Sequence, residues 1–344
     1  MKLSIIIKKI IAFLLFHSGY TTKKIDEKVD DDQYFILMYH RIVEYRESLQ
    51  DGMYVLPDTF DAQMRYIRDN FTVLSICELN EIIDSGNWRQ GDGKRYCVIT
   101  FDDGWNDFYE NAFPILQKHD LPAALFLPTG FIDHNRKMWI DLYGELLSAK
   151  LDLGLRPEFT ISSNHSQILD YLVNLKGSYR SQLENGINEL KRYSGSEIDS
   201  ILSQFGNLIE KESRSRESDF VNWNQVNEMK ASGLVTIGSH TVNHEILTNI
   251  EDTGVVQSEL LDSRDELLDR AVMDSLCMTF CYPNGNHSKD LSKLVSDSGY
   301  HLAVTTQRGW NTIDDDRAML KRIGMHQDVS SSVPMFATRI SGIF

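Results

Sequence analysis

From residue 34 onward the chain alternates short, continuously apolar runs with longer stretches whose apolar residues recur at helical spacing. This alternation limits the fold more than any other feature. "YFILMYH", "FTVLS", "RYCVITF", "PAALFLP", "GLVTIGSH", "LCMTFCYP", "HLAVTT" and "AMLKRIGM" read as strands. Between them, "LPDTFDAQMRYIRDN", "ICELNEIIDSG", "WNDFYENAFPILQKHD", "TGVVQSELLDSRDELLDR" and "SKDLSKLVSDSG" read as helices, with Pro57 near the start of the first and Gly86 and Gly299 as stops. Strands that are apolar throughout, rather than on alternate residues, belong to a parallel sheet covered by helices. About seven such units in one chain favour an α/β barrel over an open sheet.

The rhythm breaks between about 133 and 220, where "MWIDLYGELLSAKL", "QILDYLVNLKGSYRSQLENGINELKRY" and "EIDSILSQFGNLIEKESRSRESD" read as helices with polar links. This stretch is expected to be a helical insertion within a barrel spanning 34–330, and "KESRSRESD" a solvated segment. The net charge of −15 and pI of about 5.1 lack the basic face that nucleic-acid binding needs. Residues 1–24 are apolar but broken by Lys8 and Lys9, and the uninterrupted run Ile10 to Phe16 is too short to span a bilayer. Three readings stay open: a helix lying in the membrane interface, which is favoured, an export signal, or a helix docked on the domain. The cysteines at 77, 97, 277 and 281 form no CxxC, are expected to be mostly buried thiols, and do not suggest a disulfide scaffold.

In parallel α/β proteins the chemistry gathers at the C-terminal ends of strands. "TFDDGWND" places Asp102 and Asp103 at such an end. "GSHTVNHE" places His240 and His244 at another, four residues apart. Two histidines and a carboxylate with positions left open make a frequent catalytic set for a divalent metal, zinc first and cobalt or nickel as alternatives. One aspartate would then bind the metal, leaving the other to take a proton from water. "FCYPNGNHS" ends a third strand in a Pro-Asn-Gly turn, so Tyr282 and Asn284 are candidates for facing the developing oxyanion with a backbone N–H. Trp105 and Trp310 are candidates for stacking on a sugar.

"TFDDG", "SHTVNH" and "FCYPNG", in this order, resemble the polysaccharide deacetylases of carbohydrate esterase family 4, over about residues 34–130 and 221–326. The resemblance implies a distorted (β/α)7 barrel and metal-dependent removal of acetyl groups from a glycan. By motif position it implies Asp102 as general base and Asp103, His240 and His244 as metal ligands. Cys281 stands where the family carries an arginine that pairs with the base, and Asn284 replaces an aromatic residue. The family's late Leu-x-His, source of the general acid, has no clear copy near the C-terminus. "LMYHRI" resembles a displaced one, which implies His40 as the acid, with His326 expected at the surface. These departures resemble the poly-N-acetylglucosamine and exopolysaccharide deacetylase branch, implying an acetylated bacterial surface glycan as substrate. The apolar, basic N-terminal segment points to a membrane-associated or exported location, with the cytoplasmic face as the alternative. Rival readings are a metal-dependent amidase for non-sugar amides and an inactive glycan-binding homologue.

Overall fold

The computed structural model describes residues 5–30, 33–44, 54–86, 94–134, 136–153, 165–205 and 219–344. Ten strands occur among them: β1 (Phe35–Tyr39), β2 (Arg41–Ile42), β3 (Tyr54–Val55), β4 (Thr72–Val73), β5 (Tyr96–Phe101), β6 (Ala123–Leu127), β7 (Val235–Ser239), β8 (Thr279–Cys281), β9 (Leu302–Arg308) and β10 (Leu320–Gly324). β5 to β10 pair in sequence order, all parallel, and β1 pairs with both β10 and β5, which closes a seven-stranded barrel. "FTVLS" is no stave of it. It contributes only the two residues of β4, paired with the start of β5.

Alternate strand residues face opposite sides. Leu37, Tyr39, Ile99, Phe101, Leu125 and Ile237 point outward and pack under surrounding helices, beside Phe60 and Met64 of the helix Pro57–Asn70. Ile36, Val98, Ala124, Phe126, Cys281, Val304 and Leu320 fill the interior. Gly238 lets Phe126 do so, because a Cβ there would lie 2.6 Å from the ring. The helix Ile76–Ser85 closes the foot of the barrel with Ile76 and Leu79. It starts at a reciprocal cap, Ser75 Oγ accepting from Glu78 N–H while Glu78 accepts from Ser75 N–H. The helix expected over "WNDFYENAFPILQKHD" opens with a π-helical turn, Phe108–Ala112, and becomes regular at Phe113–His119. Pro114, which has no N–H to give to the preceding turn, accounts for the change.

The cysteine expectation is corrected. Cys77, in the closing helix, is disulfide-bonded to Cys277, 200 residues away, and only Cys97 and Cys281 remain free thiols. Two cysteines so far apart become neighbours only because the foot of the barrel brings that helix against the approach to β8.

Between β6 and β7 the helices Trp139–Leu153, Ser166–Asn174, Tyr179–Leu190 and Gly195–Ser203 share a core of their own, including Tyr143, Leu146, Leu172, Leu183, Ile187, Ile201 and Phe205. Gly186 lies against Tyr143, whose Oη would be 2.0 Å from an added Cβ. Residues 211–218 of "KESRSRESD" lie outside the described residues. At the N-terminus, the helices Ile5–His17 and Tyr20–Asp30 meet at a 70° bend, and no single described helix is long and apolar enough to cross a membrane. The first lies along the helix Val333–Ile340 and buries Ala12. Ile6, Ile10, Phe13 and Leu14, which share a helical face, are exposed.

Candidate active site

The site forms where inward-facing positions change from apolar to polar near the tops of the strands. Along β5 and just beyond it, Val98, Thr100 and Asp102 succeed one another on the inner face. Asp102 N–H donates to Tyr39 O, which fixes the strand end. Asp103, the next residue, would point away from the barrel if the strand continued. Its φ of 75°, followed by Gly104 at 68°, turns the chain so that both carboxylates reach the same cavity. Asp103, Thr241, His244 and Asn284 all have positive φ, at 75°, 67°, 56° and 56°. Left-handed backbone at residues other than glycine costs on the order of 1–3 kcal/mol each and persists only where surrounding contacts hold it.

Asp103 Oδ1 lies 3.3 Å from His240 Nε2 and 3.3 Å from His244 Nε2. Its Oδ2 accepts from Trp105 Nε1 at 3.0 Å. The His240 ring is fixed by Nδ1, 2.7 Å from Cys281 O, which leaves Nε2 free to ligate. Tetrahedral coordination with bonds of about 2.0–2.1 Å puts ligand atoms about 3.3–3.4 Å apart, so this triad fits zinc. Burial alone would push the Asp103 carboxyl up, but the two imidazoles beside it outweigh burial and hold it well below the usual carboxylate range. At His244 burial wins and lowers the pKa, favouring the neutral imidazole that a metal needs.

Asp102 faces Arg322, a residue that sequence reasoning missed. Arg322 rises from β10 into the barrel, fully buried, and donates from Nη1 to Oδ1 and from Nη2 to Oδ2 of Asp102, both at 2.7 Å. Further bonds go to Thr100 Oγ1, Thr305 O and Cys281 Sγ. Burial raises the Asp102 pKa, yet the Arg322 charge and its paired hydrogen bonds prevail and lower it, helped by His40 and His240. The guanidinium missing at position 281 is therefore supplied by another strand, with Cys281 Sγ 3.2 Å from it. The signal was an arginine inside an apolar strand, in inward register with Leu320.

His40, at the end of β1, places Nε2 3.8 Å from Asp102 Oδ2. His326 is not at the surface as expected. It is half-buried at the start of the helix Gln327–Ser330, its ring centroid 6.4 Å from that of His40. Burial, with His40 and Arg339 nearby, pushes its pKa down to about 3. Asp141 lies on the first helix of the 139–205 helical lobe. Burial, opposed by Arg41 and reinforced by Asp219, Glu145 and Asp103, pushes its carboxyl up to about 6.

Three expected substrate contacts are corrected. Trp105 is buried, with Phe220 stacked at 4.7 Å and the Arg41 guanidinium 4.3 Å from its ring centre, so its faces are occupied and its indole serves Asp103. Trp310 packs outside the barrel on Phe35 and donates to Ile340 O. The Tyr282 side chain is buried in the outer layer with its hydroxyl on Ala318 O, and its N–H is spent on Val304 O. Asn284 does lie in the turn after β8, with its side chain tied to Asn286.

A closed seven-stranded α/β barrel with an Asp-His-His triad beside a buried Asp-Arg pair defines a hydrolase of the deacetylase type. Residues 89–303 match the polysaccharide deacetylase family, and the chain belongs to it. It is 22% identical over 298 residues to the Bacillus subtilis polysaccharide deacetylase homologue YxkH, covering 86% of this chain and 73% of that protein. Among solved structures, Streptococcus pyogenes deacetylase PplD, in complex with acetate, superposes with a TM-score of 0.56 at 21% identity, covering 86% of this chain and 94% of that one. IcaB from Ammonifex degensii gives 0.56 at 16% identity, covering 89% and 97%. At these identities the structural likeness speaks for the fold. The family acts on acetylated polysaccharide and is generally metal-dependent.

Proposed function

We propose that this protein removes acetyl groups from the nitrogen of an N-acetylated bacterial surface glycan, of the poly-N-acetylglucosamine or exopolysaccharide kind, with Asp103, His240 and His244 holding a divalent metal, zinc first. The observation that carries this reading is the pair of 3.3 Å separations joining Asp103 Oδ1 to both imidazole Nε2 atoms, next to an Asp102 carboxylate held by both Nη atoms of Arg322. These three residues would hold the cation, which when bound would supply a lowered water pKa and polarisation of the acetyl carbonyl. Asp102, kept ionised by Arg322, takes the proton from the attacking water. His40, on the other side of Asp102, gives a proton to the leaving nitrogen, a task suited to imidazole near neutral pH. The backbone N–H of Asn284 stands as the candidate oxyanion donor.

Two features support an exported protein held at a membrane surface. The Cys77–Cys277 disulfide suits an oxidising compartment. The exposed face of Ile6, Ile10, Phe13 and Leu14, beside Lys8 and Lys9, suits an anionic lipid interface. Binding to anionic vesicles should fall in the double variant Ile6→Asn, Leu14→Asn; unchanged binding removes the membrane contact.

The function is tested by metal analysis together with acetate release from N-acetylglucosamine oligomers and from simple amides. Stoichiometric zinc and release from the oligomers are expected, and His240→Ala and His244→Ala should each lose the metal. Full metal in both variants removes the site. Release from simple amides alone moves the enzyme to the amidase reading.

A further inference from the structure

We infer that Glu259 is a positioning residue for the metal ligands, holding the loop between His240 and His244 in its ligating shape; this rests on the metal site proposed above. The loop follows β7 and forms no helix or strand. Its carbonyls at Thr241 and Val242 accept from Thr129 and Gly130. Its N–H groups at Val242 and Asn243 both donate to one oxygen, Glu259 Oε2, at 2.9 Å each. Glu259 Oε1 takes the Asn243 side-chain amide at 2.6 Å. Glu259 itself is buried, on the helix Thr253–Asp269.

The two N–H groups that Glu259 binds sit between Thr241 and His244, whose φ values are 67° and 56°. A β-branched threonine in that region is an outlier that its surroundings must enforce. A carboxylate suits the task because it can accept from three N–H groups and has nothing to donate. Glutamine would keep the two backbone bonds but turn an NH2 toward the Asn243 amide. Asn243 cannot flip to relieve this without loss, since its Oδ1 accepts from Arg136 Nη1 at 2.7 Å. Glu259 therefore acts on His244 through the backbone, without touching the ligand atoms.

The test is zinc affinity of the metal-free, full-length protein, measured by chelator competition, for Glu259→Ala, Glu259→Gln and Asn243→Ala. Groups that orient metal ligands typically contribute about 10–100-fold in affinity. A loss of that size is expected for Glu259→Ala, with smaller losses for the other two. Turnover of Glu259→Ala should recover toward wild type at saturating zinc, because base and ligands are intact. A merely structural role would lower the melting temperature of the metal-free protein and leave zinc affinity alone. Wild-type affinity in Glu259→Ala overturns the inference. If that variant does not fold, wild-type affinity in both Glu259→Gln and Asn243→Ala overturns it instead. A wild-type protein that binds no zinc defeats the metal-site reading itself.

Discussion

In the lower half of the barrel interior Ile36, Val98, Phe126, Val304 and Leu320 pack against one another and against the closing helix. Further up the same strands, the inner face carries His40, Thr100, Asp102, His240 and Arg322. The two halves share strands, period and burial, yet one is held by dispersion and the other by paired charge. The difference lies in what each end of the barrel can offer as partners. At the foot the apolar face of the closing helix, Ile76 and Leu79, covers the opening, and the residues it meets are mainly apolar. At the top the strands break into turns with positive φ, whose side chains and backbone groups can satisfy buried polar atoms. Polar chemistry is affordable only there.

The largest expected effect separates the halves by function. Asp102→Asn keeps the shape of the carboxylate but cannot take a proton. Turnover should fall by roughly 10²-fold or more with zinc still bound, and His40→Ala should lose a similar factor. If Asp102→Asn loses zinc while Asp103→Asn keeps it, the two aspartates have exchanged roles. If His326→Ala, folded and metal-loaded, is inactive while His40→Ala is unaffected, the proton donor comes from the other histidine.

The next effect compares the halves in stability. Arg322→Ala leaves a buried carboxylate unpaired and should cost about 3–5 kcal/mol. Phe126→Ala opens a cavity in the lower half and should cost a similar amount, about 3–5 kcal/mol. Denaturant unfolding measures both. Zinc content and the pH profile should then tell them apart. Phe126→Ala should keep wild-type values, while Arg322→Ala should move the acid limb of the profile upward as Asp102 loses the charge that lowers its pKa. A shift in both, or in neither, would mean that the halves are not energetically distinct.

The last effect is a slope. His326 stays neutral in the folded protein down to about pH 3, whereas an unperturbed histidine takes its proton near 6.5. Between these values the unfolded chain binds more protons. The stability associated with a neutral His326 is therefore complete above pH 6.5 and is lost as the pH falls toward 3. The contribution is at most about 1.4 kcal/mol per pH unit. His326→Gln should flatten the unfolding free energy against pH over that window. An unchanged slope would place His326 in solvent.

The sequence by itself determined a parallel sheet covered by helices, because continuous apolar strands alternate with helical periods, and its seven or so units favoured a closed ring. It also made Asp102, Asp103, His240 and His244 legible, since strand-end position and short-range spacing suffice to bring such residues to one rim. Only the tertiary structure decided the partners that come from far along the chain. Arg322 reaches Asp102 across 220 residues because β10 and β5 flank β1 in the closed ring. Cys77 meets Cys277 because a helix closes the barrel's foot. Trp310 and Tyr282 leave the site because the local course of the chain turns their rings outward, and Trp105 is taken up by Asp103, Phe220 and Arg41. Glu259 reaches the histidine loop from a helix whose place is set by packing. Local pattern fixes which face a residue takes on its own element. Which distant residue shares that face depends on ring closure and helix docking, and no short-range pattern in the sequence encodes those.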